Sequence, residues 1–255
     1  MKIWDEALKS LLANREVLLA VLGVFSILPN FALQMLAPVP EPVSGQQAAQ
    51  LLDRLGVYFD ANWLPLVAVI ALQFFGMLVT LALLADPARP TVSEAIRKAA
   101  RAAPTFVAAL VLAFAGSFLT GLIPVILIGL TGSLSLTQVA AVMGTVVILY
   151  MLIRFAFAGP AVLLDGQRNP VLALRRSFAA TQGIGWQLLV FILLIFVAFR
   201  IVGWLLTAAA VLVTTLITGA ALVGALIACL VQAALLGCFV AVIGASYRQV
   251  GQMPA

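Results

Sequence analysis

Residues 186–211 read WQLLVFILLIFVAFRIVGWLLTAAAV, with one charge, Arg200, in the whole stretch. A helix rising 1.5 Å per residue crosses the roughly 30 Å hydrocarbon layer with about 20 apolar residues. The stretch is therefore predicted to be a transmembrane helix. Working outward, five further runs have the same character, at 17–37, 62–85, 105–128, 137–159 and 220–246. The expected fold class is all-α: a polytopic membrane protein of six transmembrane helices, forming one integral-membrane domain over 1–255. Apolar sequence continues past 211, and Thr214, Thr215, Thr218 and Gly219 predict the turn before the last span.

Composition agrees. The chain is 64% hydrophobic and 9% charged, whereas soluble domains carry roughly 25% charged residues. A water-soluble fold could not bury that much apolar surface, but lipid solvates it directly. The net charge of +5 is read as basic residues at span ends, which fix orientation and touch anionic lipid, and not as a nucleic-acid footprint. Cys229 and Cys238 both fall in the last span, about half a turn out of phase, and read as small packing residues rather than a disulfide or metal site. Residues 1–16 carry Asp5, Glu6 and Glu16 and do not resemble the leading segment of a signal peptide. Residues 3–13 instead predict an amphipathic interfacial helix with Trp4 as its anchor.

The basic residues are partitioned by side. Lys2, Lys9 and Arg15, then Arg89, Arg97, Lys98 and Arg101, then Arg168, Arg175 and Arg176, and finally Arg248 all fall on one side of the six spans. Arg54 alone falls on the other, and Arg154 and Arg200 lie within spans. Because lysine and arginine are retained on the cytoplasmic side, both termini are expected in the cytoplasm of a bacterial cell, with the protein in its inner membrane. The loop after span 1 begins with Pro38, Pro40 and Pro42, and residues 45–58 predict a short outer surface helix with Leu51, Leu52, Leu55 and Tyr58 on its apolar face.

Two cytoplasmic segments resemble each other. Residues 95–100 read AIRKAA and 173–178 read ALRRSF, each following a proline, Pro90 or Pro170. Each predicts an amphipathic surface helix, one between spans 2 and 3 and one between spans 4 and 5. Arg97, Lys98, Arg101, Arg175 and Arg176 are the candidate contacts to acidic lipid head groups, at about 1 kcal/mol per basic residue near the surface.

Charges inside the bilayer are costly and tend to be functional. Arg154 lies near the inner end of span 4 and is expected to snorkel. Arg200 lies deep in span 5, and no span offers a carboxylate. Phe196 and Trp204 on its own helix, and Gln232 or Asn30 on other spans, are the candidate neighbours, in a polar site that either receives an anionic group or serves the fold. Small residues recur every fourth place in the last span, at Ala221, Ala225, Cys229, Ala233, Gly237 and Ala241. They predict a close helix contact, within the bundle or with a second copy or a partner protein.

Enzyme chemistry finds little support. Without histidine there is no His-based zinc site and no Ser-His pair, and the acids Asp86, Glu94 and Asp165 are isolated. No cofactor or metal is expected. Pro29, Pro124 and Pro160 interrupt spans in the way broken helices line transport sites, although proline is common in membrane helices.

The stretch Arg154-Phe155-Ala156-Phe157-Ala158-Gly159-Pro160, continuing through Asp165-Gly166, Asn169-Pro170, Ala173-Leu174-Arg175-Arg176-Ser177-Phe178 and Thr181-Gln182-Gly183, resembles the membrane domain of the glycerophosphoryl diester phosphodiesterase family and the related YciC-like bacterial inner-membrane proteins. The resemblance implies a six-span helical membrane module. Some relatives fuse it to a soluble phosphodiesterase domain that uses histidines and acids. This chain lacks every histidine, so that activity does not carry over. The sequence thus predicts a non-catalytic membrane protein acting on envelope or membrane integrity through anionic lipids or a partner. The alternative is a small-molecule or lipid transporter with Arg200 in its path.

Overall fold

The computed structural model describes residues 2–40, 48–86, 88, 90–214 and 220–251. These residues form helices and no strand. Six helical stretches are long and apolar enough to cross a membrane, at Arg15–Leu36, Gln50–Ala85, Val92–Gly129, Ser135–Leu163, Gly185–Leu206 and Leu222–Gln249. The chain is an all-α, multi-pass membrane protein.

An amphipathic helix α1 (Lys2–Ala13) leads into the first crossing. That crossing comprises α2 (Arg15–Leu22), a π turn (Gly23–Ile27) and α3 (Leu28–Leu36). Pro29 explains the widened turn. It has no N–H for the carbonyl of Phe25, four residues back, so the regular ladder cannot continue there. The Asn30 side chain donates to the Ser26 carbonyl at 2.7 Å, adding a side-chain bond across the same turn. Gly76 lets the π turn approach the second span, since a Cβ there would overlap the Phe25 side chain.

The second crossing departs from the sequence expectation. In place of a short outer helix and a separate span, α4 (Ala48–Ala85) is one 38-residue helix. It is about 57 Å long, nearly twice the hydrocarbon thickness. Tyr58, expected on a surface face, is buried and donates to the Ala37 carbonyl at 2.8 Å, tying the projecting end of α4 to the end of the first crossing. Residues 41–47, which include Pro42 and Gly45, lie outside the described residues, whereas Pro38 and Pro40 precede them in irregular chain.

The third crossing holds a second correction. The surface helix expected between spans 2 and 3 is not a separate element, because α5 (Val92–Gly129) runs unbroken through Pro104. A capping box fixes its start: the Thr91 side chain accepts from the Glu94 amide, and the Glu94 carboxylate accepts from the Thr91 amide. Such reciprocal capping satisfies two N–H groups that have no partner inside the helix. The fourth crossing, α6 (Leu134–Arg154), stops at Arg154. A tight turn and a fully buried short helix, α7 (Ala158–Leu163), follow. The helix expected between spans 4 and 5 is present as α8 (Pro170–Ala180), with the Asn169 side chain capping its first amides. The two similar segments therefore take different forms, one fused to its span and one free-standing. The last crossings are α9 (Gly185–Thr214) and α10 (Ala220–Gly251), and the turn predicted around Thr215, Thr218 and Gly219 lies outside the described residues.

The core is uneven. Its main cluster joins the end of α4 (Leu78 to Ala85), the start of α5 (Ala95, Ala99, Phe106), α7 and the end of α10 (Val240 to Ala245), all on the side of the basic loops. On α10 the window that crosses lipid is 39% buried, while that on α9 is 6% buried, so α9 is a peripheral, lipid-facing helix. The small-residue stripe of α10 turns inward. Cys229, Ala233, Gly237, Ala241 and Ala245 are buried and Ala225 is half-buried. A Cβ on Gly237 would sit 3.2 Å from Leu22, so close packing on the first crossing explains that glycine. Ala221 lies on α10, on the same four-residue register.

Candidate functional site

Three polar features interrupt the apolar bundle. The first is built from the stretch that carries the family resemblance. Arg154 does not snorkel: it is 6% exposed. Because α6 ends there and α8 folds back beneath it, the guanidinium has acceptors at hand. It donates to the Phe178 carbonyl at 2.9 Å and to the Tyr150 hydroxyl at 3.2 Å, and it stacks on the Phe178 ring. Its own carbonyl accepts from the Ser177 hydroxyl at 2.7 Å. Gly183 closes the unit with φ +78, a left-handed conformation that glycine adopts without strain. Asp165 joins α8 and α10 nearby, accepting from Arg176 at 3.2 Å and from the Tyr247 hydroxyl at 2.5 Å. This unit is a clamp that fixes α8 under α6.

The second feature is a cavity of about 850 Å³ on the basic rim. It lies between α1, the end of α4, the turn into α5 and the end of α10. Lys9, Ser10, Asn14, Thr91, Arg248 and Gln249 supply its polar lining, and Asp86 stands at its wall. Lys9 makes no ion pair with a described carboxylate. Arg248 donates to the Leu84 carbonyl at 3.4 Å, placing its cation at the C-terminus of α4, where the helix dipole is negative. Asp86 is occupied by Lys98 at 2.6 Å and by the Ala88 amide at 3.0 Å. Burial works to raise the Asp86 carboxyl, but the Lys98 and Ala88 hydrogen bonds outweigh it and hold the group below its ordinary value.

Comparison with protein-family models, with curated proteins and with solved structures finds no match to this chain.

The third feature is an intramembrane recess between α9 and α10. Arg200 lines it together with Phe196, Trp204 and Gln232, whereas Asn30, the other acceptor expected from sequence, is not in the lining and donates to the Ser26 carbonyl instead. The recess continues past Gln232 to Gln73 of α4 and Ser26 of the π turn. Arg154 is not part of it. Fifteen residues of α9 separate Arg200 from Gly185, whose Cα neighbours the Arg154 chain, which places the two cations on the order of 20 Å apart.

The five candidate lipid contacts divide into two groups. Lys98 and Arg176 are engaged by Asp86 and Asp165. Arg97, Arg101 and Arg175 are exposed and make no ion pair with a described carboxylate. Sequence reasoning missed the rim cavity because its residues come from four separate segments. The readable signal was a cation at each of two distant chain positions, Lys9 and Arg248. It also missed Gln73, an uncharged polar residue in the apolar part of span 2.

Proposed function

We propose that this chain is a non-catalytic protein of the bacterial inner membrane, with both termini cytoplasmic, that holds anionic lipid at its basic rim and thereby serves membrane or envelope integrity. The rim cavity between Lys9 and Arg248 carries this reading. Its volume is in the range of small-ligand sites. Two cations and several hydroxyl and amide groups suit a phosphate head group, and α1 lies where head groups lie. Arg97, Arg101 and Arg175 extend the same positive surface. The resemblance of 154–183 to YciC-like membrane proteins supports the same placement, and we infer membership of that group from those residues.

Native mass spectrometry of the full chain in gentle detergent, with phosphatidylglycerol and phosphatidylethanolamine present equally, tests the reading. Replacing both cations, Lys9→Gln with Arg248→Gln, is expected to weaken phosphatidylglycerol retention by about 2 kcal/mol, roughly thirtyfold. Unchanged retention would remove the basis for the proposal. A second reading, a small-molecule or lipid transporter, is favoured by the recess at Arg200. Its signature would be protein-dependent movement of labelled lipid between leaflets of reconstituted vesicles, lost in Arg200→Gln.

A further inference from the structure

The recess at Arg200 has its own polarity, independent of the rim. Arg200 lies about 22 Å along α9 from Gly185, and Gln232 lies about 24 Å along α10 from Arg248. The two side chains thus share a level in the half of the membrane away from the basic rim. Both side chains are exposed, Arg200 on the peripheral α9 and Gln232 on α10. Neither makes a hydrogen bond or ion pair with another described residue. No Asp or Glu occurs after Asp165, so α9 and α10 hold no carboxylate. An arginine at this depth is expensive unless its charge is met.

The recess is graded. The part around Arg200 encloses about 540 Å³. The deeper part, about 290 Å³, is lined mainly by apolar side chains such as Ile192, Ile195, Leu236 and Phe239. Phe196, Gln232 and Leu235 border both parts, so the two are continuous. Its cationic end lies nearer the far face of the membrane and its apolar end nearer the midplane. A lipid of the far leaflet has the same order, head group outward and acyl chain inward.

We propose that this recess binds one anionic phospholipid from the leaflet opposite the basic rim, with its phosphate on Arg200 and Gln232 and a chain in the deeper part. Charge selects the class. A single unmatched cation complements a head group of net negative charge, whereas a zwitterionic head group brings an ammonium for which the recess has no carboxylate.

Trp204 lines the recess and reports on it. A chain carrying Trp4→Phe, Trp63→Phe and Trp186→Phe keeps Trp204 as its one tryptophan. It is reconstituted in phosphatidylcholine vesicles, and quenching by brominated phosphatidylglycerol is compared with quenching by brominated phosphatidylcholine. We expect the anionic lipid to quench with about fivefold higher apparent affinity. The preference should vanish in Arg200→Gln and persist when Lys9 and Arg248 are replaced, which separates this site from the rim. Equal quenching by the two lipids overturns the proposal, and that comparison needs no variant at Arg200. Survival of the preference in Arg200→Gln also overturns it. Loss of the preference on adding inorganic phosphate would instead make a free anion the occupant.

Discussion

The guanidinium carbon of Arg154 lies 3.7 Å from the centre of the Phe178 ring. This contact crosses from the end of α6 to α8 and carries a buried cation that pairs with no carboxylate among the described residues. The ring face supplies negative potential, and the Phe178 carbonyl and Tyr150 hydroxyl accept two of the N–H groups. A planar, weakly hydrated guanidinium suits that environment better than an ammonium would.

Phe178→Leu keeps an apolar side chain and removes the ring. It is expected to destabilise the protein by about 2 kcal/mol, the scale of a desolvated cation–π contact. Arg154→Lys, which cannot stack or donate in a fork, should cost at least as much. Arg175→Lys, on the exposed surface of the same helix, should be nearly silent. Thermal unfolding of the three variants in one detergent checks the order. A Phe178→Leu protein as stable as wild type would show that the stack contributes nothing.

Gly121 and Gly144 mark the closest approach of α5 and α6. A Cβ on Gly144 would lie 2.6 Å from the Gly121 carbonyl oxygen, and a Cβ on Gly121 would overlap Ile148. The obstructing atom at Gly144 is backbone and cannot swing away. Gly144→Leu is therefore expected to separate the two helices and cost at least about 1–3 kcal/mol, the usual scale of overpacking. Gly116→Leu, where a Cβ meets nothing within 4 Å, is the control on the same helix pair. Protease sensitivity of the loop at 130–133 should rise in the first variant and not in the second.

How much of this was legible beforehand depends on the length over which each signal acts. The six crossings follow from runs of apolar residues and need no tertiary information. The helix boundaries do not. Pro104 leaves α5 intact, whereas the end of α6 at Arg154, with no proline before Pro160, is set by packing of α7 and α8 beneath it. Arg154 looks alike in sequence to a snorkelling arginine, because Phe178 reaches it only through the reversal of the chain by α7 and the connection into α8, and Tyr150 through the winding of α6. Arg200 was easier to read, since its environment comes from its own helix and the one that follows. The rim cavity draws on residues 9, 86, 91 and 248, whose proximity no local pattern announces.

The Asp86–Lys98 pair joins the end of α4 to α5 at the wall of the rim cavity. Asp86 is held below its ordinary 3.8, so its ionised form is favoured by the fold. Its contribution is fully present above that ordinary value and is lost as pH falls through the lower folded value, that is, from about pH 4 downward. Lys98 is partly exposed, so the pair is worth up to about 1 kcal/mol. Wild type should lose stability over that range more steeply than Asp86→Asn. Parallel pH profiles of the two melting temperatures would show that the pair does not contribute.

The most direct measurement is which side of the membrane the basic rim faces. In a background with Cys229→Ala and Cys238→Ala, single cysteines placed at Lys9, Arg97 and Arg175 can be challenged with a membrane-impermeant maleimide in intact cells and in lysed ones. A cytoplasmic rim requires all three to react after lysis alone, while a cysteine at Thr131, in the turn between α5 and α6, reacts in intact cells. Labelling of positions 97 and 175 in intact cells would contradict the topology and with it the assignment of lipid to the rim cavity.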